Sequence, residues 1–220
     1  MKLLALETAN DQCSVCLMRD QDILFKVLSD QARMQTQTLL PMIEQGLQTC
    51  NLTTEVLDVI AFSRGPGSFS GVRINAAVTQ ALAWANDLPV IGVSTLQALA
   101  QAAYREHGLM AVTAVIDARM KEVYIANFEL DDRGVMQAVD AEQLLSYADA
   151  MQHIQFTPVG SGANLLQESA MFTQVKASAE DIAKIAMSLA QEKKWVSAEN
   201  ALPVYLRDNA WKKISEQGKS

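Results

Sequence analysis

Hydrophobic positions change period several times along the chain, and each change marks an element. Leu3 to Thr8 is a short apolar run, Ala9-Asn10-Asp11 a turn, and Gln12 to Met18 a second strand. A polar turn, Arg19 to Asp22, leads to a third strand from Ile23 to Leu28. Three strands joined by short polar turns predict an antiparallel meander. From Met34 to Cys50 the period becomes helical, with Leu39, Leu40, Ile43 and Leu47 on one stripe and a kink at Pro41. Val59 to Phe62 reads as a buried strand, Arg64 to Gly71 as a Gly/Ser/Pro loop, and Val72 to Asn86 as a helix. Leu88 to Val93 is the next strand. Ser94, with Gln97 as the partner of its capping box, opens a helix that ends near Glu106.

His107-Gly108 marks a boundary, after which the pattern starts again. Strands are expected at Met110–Ile116, Val123–Glu129 and Val135–Val139, with turns at Asp117–Glu122 and Asp131–Gly134. A helix from Ala141 to Met151, a strand from Phe156 to Val159, the loop Gly160-Ser161-Gly162 and a helix from Ala179 to Gln191 capped by Ser178 follow. Both halves run meander, helix, strand, Gly-containing loop, helix. No fixed period repeats, so a solenoid is excluded. The pattern predicts an α/β protein of two similar lobes, 1–106 and 107–204, with 205–220 packing back on the first.

Composition narrows the function classes. Half of the 220 residues are hydrophobic, with 10 Gly and 5 Pro, which fits a folded chain rather than a disordered one. The net charge of −7 makes a stand-alone nucleic-acid binder a poor fit, because the chain would repel phosphates. Any contact with RNA would have to run mostly through a more basic partner. Three cysteines suit reduced thiols in a cytoplasmic setting. Cys13 and Cys16, three apart on one strand, point to opposite faces and do not form a redox pair. Two histidines far apart permit no HxxxH or HExxH, which excludes a conventional zinc peptidase site. The N-terminal apolar run stops at Glu7, too early for a signal peptide, and no run approaches the roughly 20 apolar residues of a membrane span.

Five stretches bear on chemistry or on partners. Gly65-Pro66-Gly67-Ser68-Phe69-Ser70-Gly71 joins a strand to a helix, where backbone N–H groups and glycines favour an anion. It lacks the lysine of a P-loop, and its third glycine comes one residue late for GxGxxG. The alternative is a tight turn with Ser70 as the helix cap. Glu7 and Thr8 at the first turn could handle phosphate or a hydrated Mg²⁺, or Glu7 could simply face solvent. Asp117 and Arg119 could meet a ligand between the lobes or form an internal pair that fixes their hairpin. The helix from Val72 to Asn86 is apolar nearly all round, so its outer side needs a cover as well. The other helix, the second lobe or another subunit would each serve. The basic run from Pro203 to Arg207, with Trp211, Lys212 and Lys213, reads as a solvated tail or an RNA contact.

Gly65 to Ile74 resembles the Gly-Pro-Gly-Ser-Phe-Thr-Gly-x-Arg-x-Gly signature of the bacterial TsaB (YeaZ) family, with Ser70 in place of Thr and Asn75 in place of Gly. Thr36–Met42, Gly92–Leu96, Asp117–Tyr124 and Pro203–Arg207 agree in the same order, so the resemblance runs through the chain and is weakest from Leu130 to Asn200.

The resemblance implies a two-lobe, actin-like ASKHA fold, ribonuclease H-like in each unit. It implies a role in forming N6-threonylcarbamoyladenosine at position 37 of tRNAs that read codons starting with A. There TsaD would transfer the threonylcarbamoyl group, TsaE would join as an ATPase, and this chain would be a non-catalytic scaffold. No catalytic residue, metal ligand or cofactor is assigned. Partners would be TsaD, TsaE and a second copy of the chain, in the cytoplasm. Interface candidates are Met34, Leu39, Met42, Ile43, Ala76, Gln80, Ala83 and Trp84. Glu7, Thr8, Gly65, Gly67, Ser68, Asp117 and Arg119 would be the remnant of a nucleotide or anion site, with Glu7 in place of the family's Asp. A stand-alone ASKHA ATPase or phosphotransferase is the alternative reading.

Overall fold

The computed structural model describes residues 1–29 and 34–207. The first sheet contains β1 (Lys2–Glu7), β2 (Cys13–Arg19), β3 (Asp22–Ser29), β4 (Val59–Gly65) and β5 (Val90–Ser94), in the order β3-β2-β1-β4-β5. The first three are antiparallel, while β4 runs parallel to β1 and β5 parallel to β4. This is the ribonuclease H-like order of an ASKHA lobe. The central strands are apolar without interruption because both faces are covered. Leu4, Leu6, Val15, Ile60 and Phe62 pack towards α1 (Gln35–Thr49) and α2 (Phe69–Ala85). Leu3, Ala5, Val59, Ala61, Ile91 and Val93 form the opposite core. Cys13 lies in the first of these cores and Cys16 in the second, so the two thiols face apart. Burial pushes the Cys16 thiol up to about 12.

The second sheet repeats the plan. Its strands are β6 (Ala111–Asp117), β7 (Glu122–Leu130), β8 (Met136–Ala138), β9 (Gln143–Ser146) and β10 (Thr157–Val159). The order is β10-β6-β7-β8, and β9 pairs with the other end of β7. As in the first sheet, an antiparallel meander is followed by a strand parallel to its first member.

The long helices of the two halves are exchanged. α3 (Thr95–His107) places Leu96, Leu99, Ala100, Ala102 and Ala103 in the core of the second sheet. α6 (Ala179–Gln191) comes from the second half of the sequence but sets Ile182, Ala183, Ile185, Ala186 and Met187 on the first sheet. Arg105 of α3 joins them through Asp181 of α6, at 2.8 and 3.0 Å. Among the described residues, no helix is long and apolar enough to cross a membrane.

Several local expectations are corrected. Residues 141–151 do not form one helix; they form β9 and then α4 (Tyr147–His153), because β7 offers an edge that Gln143–Ser146 completes. The cap of α2 is Ser68 rather than Ser70. Its hydroxyl accepts from Gly71 N–H, and the helix starts three residues early. Ser94 caps α3 at Leu96 and Gln97 N–H, but the Gln97 amide turns away to the Met136 carbonyl, so the box is not reciprocal. The reciprocal box is at α6, between Ser178 and Asp181. One expectation stands: Pro41 lies inside α1 rather than at its start, on the solvent face where water can satisfy the carbonyl that it leaves unpaired.

Candidate functional site

The first turn and the glycine-rich loop are brought together, backbone against backbone. Ser68 N–H donates to the Ala9 carbonyl at 2.7 Å, and the Thr8 hydroxyl donates to the Gly71 carbonyl at 2.8 Å. A Cβ on Gly71 would stand 1.9 Å from the Thr8 carbonyl oxygen, and one on Gly67 2.4 Å from that of Ala9. The glycines therefore admit the Thr8–Ala9 backbone to the start of α2. Gly65, with φ +101°, is approached in the same way by the Val204 carbonyl.

Glu7 sits beneath this junction, fully buried, which corrects the solvent-facing expectation. One carboxyl oxygen accepts from Ala9 N–H; the other, Oε2, is buried without a hydrogen-bond partner. Burial pushes the group up to about 7, against hydrogen bonding from Ser63 and the backbone of Ala9 and Asn10. Asp181 adds a smaller push upward. Residues 177–181 roof this turn: Asn10 donates to the Ala177 carbonyl at 2.9 Å, and Ala179 N–H to Ser14 Oγ at 2.8 Å. Asn75 donates to Ser63 Oγ at 2.7 Å and to the Leu6 carbonyl, tying α2 to β1 and β4.

Asp117 and Arg119 belong to the β6–β7 turn on the other lobe. They form an internal pair at 2.9 Å, and Asp117 also accepts from Arg119 N–H. Arg119, Met120 and Lys121 all have left-handed backbone, with φ of +63°, +54° and +61°. The bridge from this turn to the glycine-rich loop is the segment 203–207.

The two helices sort the interface candidates into core and surface. Leu39, Met42, Ile43, Ala76 and Ala83 are buried against the chain's own sheet, which corrects their placement at a partner surface. An apolar stripe on a surface helix turns inward first, and these residues are that stripe. Met34 and Gln80 are half-buried. Trp84 is 72% exposed and Leu40 53% exposed, and Pro41, Ala77, Ala81 and Ala85 are exposed with them. The outward apolar face of α1 and α2 is this second set, beside a cleft lined by Gln80, Ala81, Trp84, Ala198 and Glu199.

One polar constellation left no signal in the sequence, since its members come from four separated segments. Thr113 donates to Asn127 Oδ1 at 2.6 Å, Asn127 donates to Asp140 at 2.6 Å, and His153 pairs with Asp140 at 2.8 Å. It ties β6 and β7 to the segments at Asp140 and His153. The tail residues Trp211, Lys212 and Lys213 lie outside the described residues.

A family model described as "TsaD: tRNA N6-adenosine threonylcarbamoyltransferase" matches residues 27–214. The chain is 39% identical to the tRNA threonylcarbamoyladenosine biosynthesis protein TsaB of Escherichia coli, over 97% of this chain and 98% of that one. It is 37% identical to the protein of the same name from Haemophilus influenzae, over 97% of each. The solved structure of YeaZ from Pseudomonas aeruginosa superposes with a TM-score of 0.86 at 37% identity, covering 93% of this chain and 99% of that one.

Proposed function

Since the chain belongs to the TsaB (YeaZ) family of tRNA threonylcarbamoyladenosine biosynthesis proteins, we propose that it is the non-catalytic, partner-holding subunit of the machinery that makes this nucleoside. In this reading, TsaD transfers the threonylcarbamoyl group to N6 of adenine 37 in tRNAs reading codons that start with A, and TsaE joins the complex. The chain docks on TsaD through α1 and α2 and pairs with a second copy of itself when alone. Its contact with tRNA is indirect, through the complex.

The observation that carries this reading is the outward apolar face of Leu40, Pro41, Ala77, Ala81 and Trp84. A 72% exposed Trp among small residues leaves a flat surface onto which helices of a partner can close. The first turn supports the scaffold role from the other side. The Gly67 and Gly71 positions are occupied by the chain's own backbone, and Glu7 is held in a site that disfavours its charge.

Ala81→Arg and Trp84→Glu each place a charge on the proposed contact without touching the core. Each should weaken the complex with TsaD at least a hundredfold by titration calorimetry, and should shift the lone chain to a monomer in light scattering. Unchanged affinity and mass in both variants, with folding intact, would remove these helices from the interface. Ala76→Arg is unsuitable, because Ala76 is buried in the chain's own core.

A further inference from the structure

The segment from Pro203 to Arg207 has no role in the proposed docking, yet it is tied to both lobes. On the first lobe, Val204 N–H donates to the Arg64 carbonyl at the end of β4, at 2.8 Å, and Val204 O lies against Gly65. Tyr205 sits over the Arg73 guanidinium, which also stacks on Phe69 at the start of α2. On the second lobe, Arg207 donates to the Ala118 carbonyl at 3.0 Å and pairs with Glu122. Its guanidinium also approaches the Met120 sulfur. These three partners lie in, or at the edge of, the turn whose three successive residues are left-handed.

Left-handed backbone at a non-glycine residue costs on the order of 1–2 kcal/mol, so three in a row persist only when the surroundings fix them. The internal Asp117–Arg119 pair holds one side of the turn, and Arg207 closes the other. Nearby, Arg64 itself reaches Glu142 of the second lobe at 3.1 Å. The chain thus crosses the mouth between the lobes and is fastened at each end.

We propose that residues 203–207 are a strap that holds the two lobes at one angle, with Arg207 as its clasp on the β6–β7 turn. The strap grips the first lobe where β4 hands over to the glycine-rich loop and α2, so the lobe angle and the start of α2 are set together. A two-lobe fold is able to open at its hinge when nothing spans the mouth, and here a covalent segment spans it.

The test compares the full-length protein with its Arg207→Ala variant in two measurements. Spin labels at Gln48→Cys and Met171→Cys, in a Cys50→Ser background, report the distance between the lobes by pulsed electron resonance. Hydrogen exchange reports the Val204 amide. The strap predicts a broader distance distribution in Arg207→Ala and exchange at Val204 at least tenfold faster. An unchanged distribution together with Val204 exchange within twofold of the parent overturns it. Should Arg207→Ala fail to fold, Glu122→Gln, which removes the charge from the other half of the clasp, is read by the same two criteria.

Discussion

Gly71→Ala asks whether the glycine-rich loop exists for its own backbone or for a bound anion. The added Cβ would stand 1.9 Å from the Thr8 carbonyl oxygen and 3.0 Å from its carbon. Both are main-chain atoms, so no side chain can swing aside. Relief requires moving the β1–β2 turn away from α2, which puts two hydrogen bonds at risk: Ser68 N–H to Ala9 and Thr8 Oγ1 to Gly71. Each is worth about 1 kcal/mol, and the overpacking itself about 1–3. Alanine returns about 1 kcal/mol of helix propensity. The net loss is about 2–4 kcal/mol, or roughly 4–16 °C in midpoint for a chain of this size. The control is Gly108→Ala, at φ +68° with nothing within 4 Å, where backbone strain alone costs about 1 kcal/mol. Urea unfolding followed by circular dichroism, without nucleotide, measures both. If Gly71→Ala is no worse than Gly108→Ala, the close backbone packing does not explain the glycine, and a ligand does.

Glu7 gives a pH test. Its carboxyl is raised in the folded chain, so its contribution to stability is fully present below about 4.5, the unfolded value, and is lost as pH rises through about 7. Glu7→Gln should flatten that slope and raise stability at pH 8 by up to about 3 kcal/mol, read from urea midpoints at pH 5 and pH 8; an unaltered slope assigns the titration elsewhere. Asp181 is buried and holds both Arg105 and the α6 cap, so Asp181→Ala should cost about 3–5 kcal/mol in the same assay, and a loss under 1 kcal/mol would show that the exchanged helices do not depend on this pair.

Much of the fold was legible because periodicity reports local burial. β1, β2, β6 and β7, and the helices α1, α2, α3 and α6, fall within a few residues of where the pattern placed them. β9 was not legible, since Gln143–Ser146 is a strand only by virtue of the open edge of β7. The proposed docking face was half legible. A stripe such as Leu39, Met42 and Ile43 shows which face is apolar, but not that the chain's own sheet claims it first. The outer face is written in small residues and one Trp, a weaker pattern. The burial of Glu7 was invisible for another reason: its roof, residues 177–181, arrives from far along the chain.

The exchange of α3 and α6 also governs how the protein must be made. When residue 106 leaves the ribosome, the strands of the first sheet are all present, but Leu3, Ala5, Val59, Ala61, Ile91 and Val93 wait for a helix still untranslated. At ordinary elongation rates that wait lasts roughly 5–15 s. Folding in this chain is therefore not vectorial: the half synthesised first is finished last. A fragment cut between the halves would carry a bare apolar sheet face, a substrate for chaperones rather than a domain.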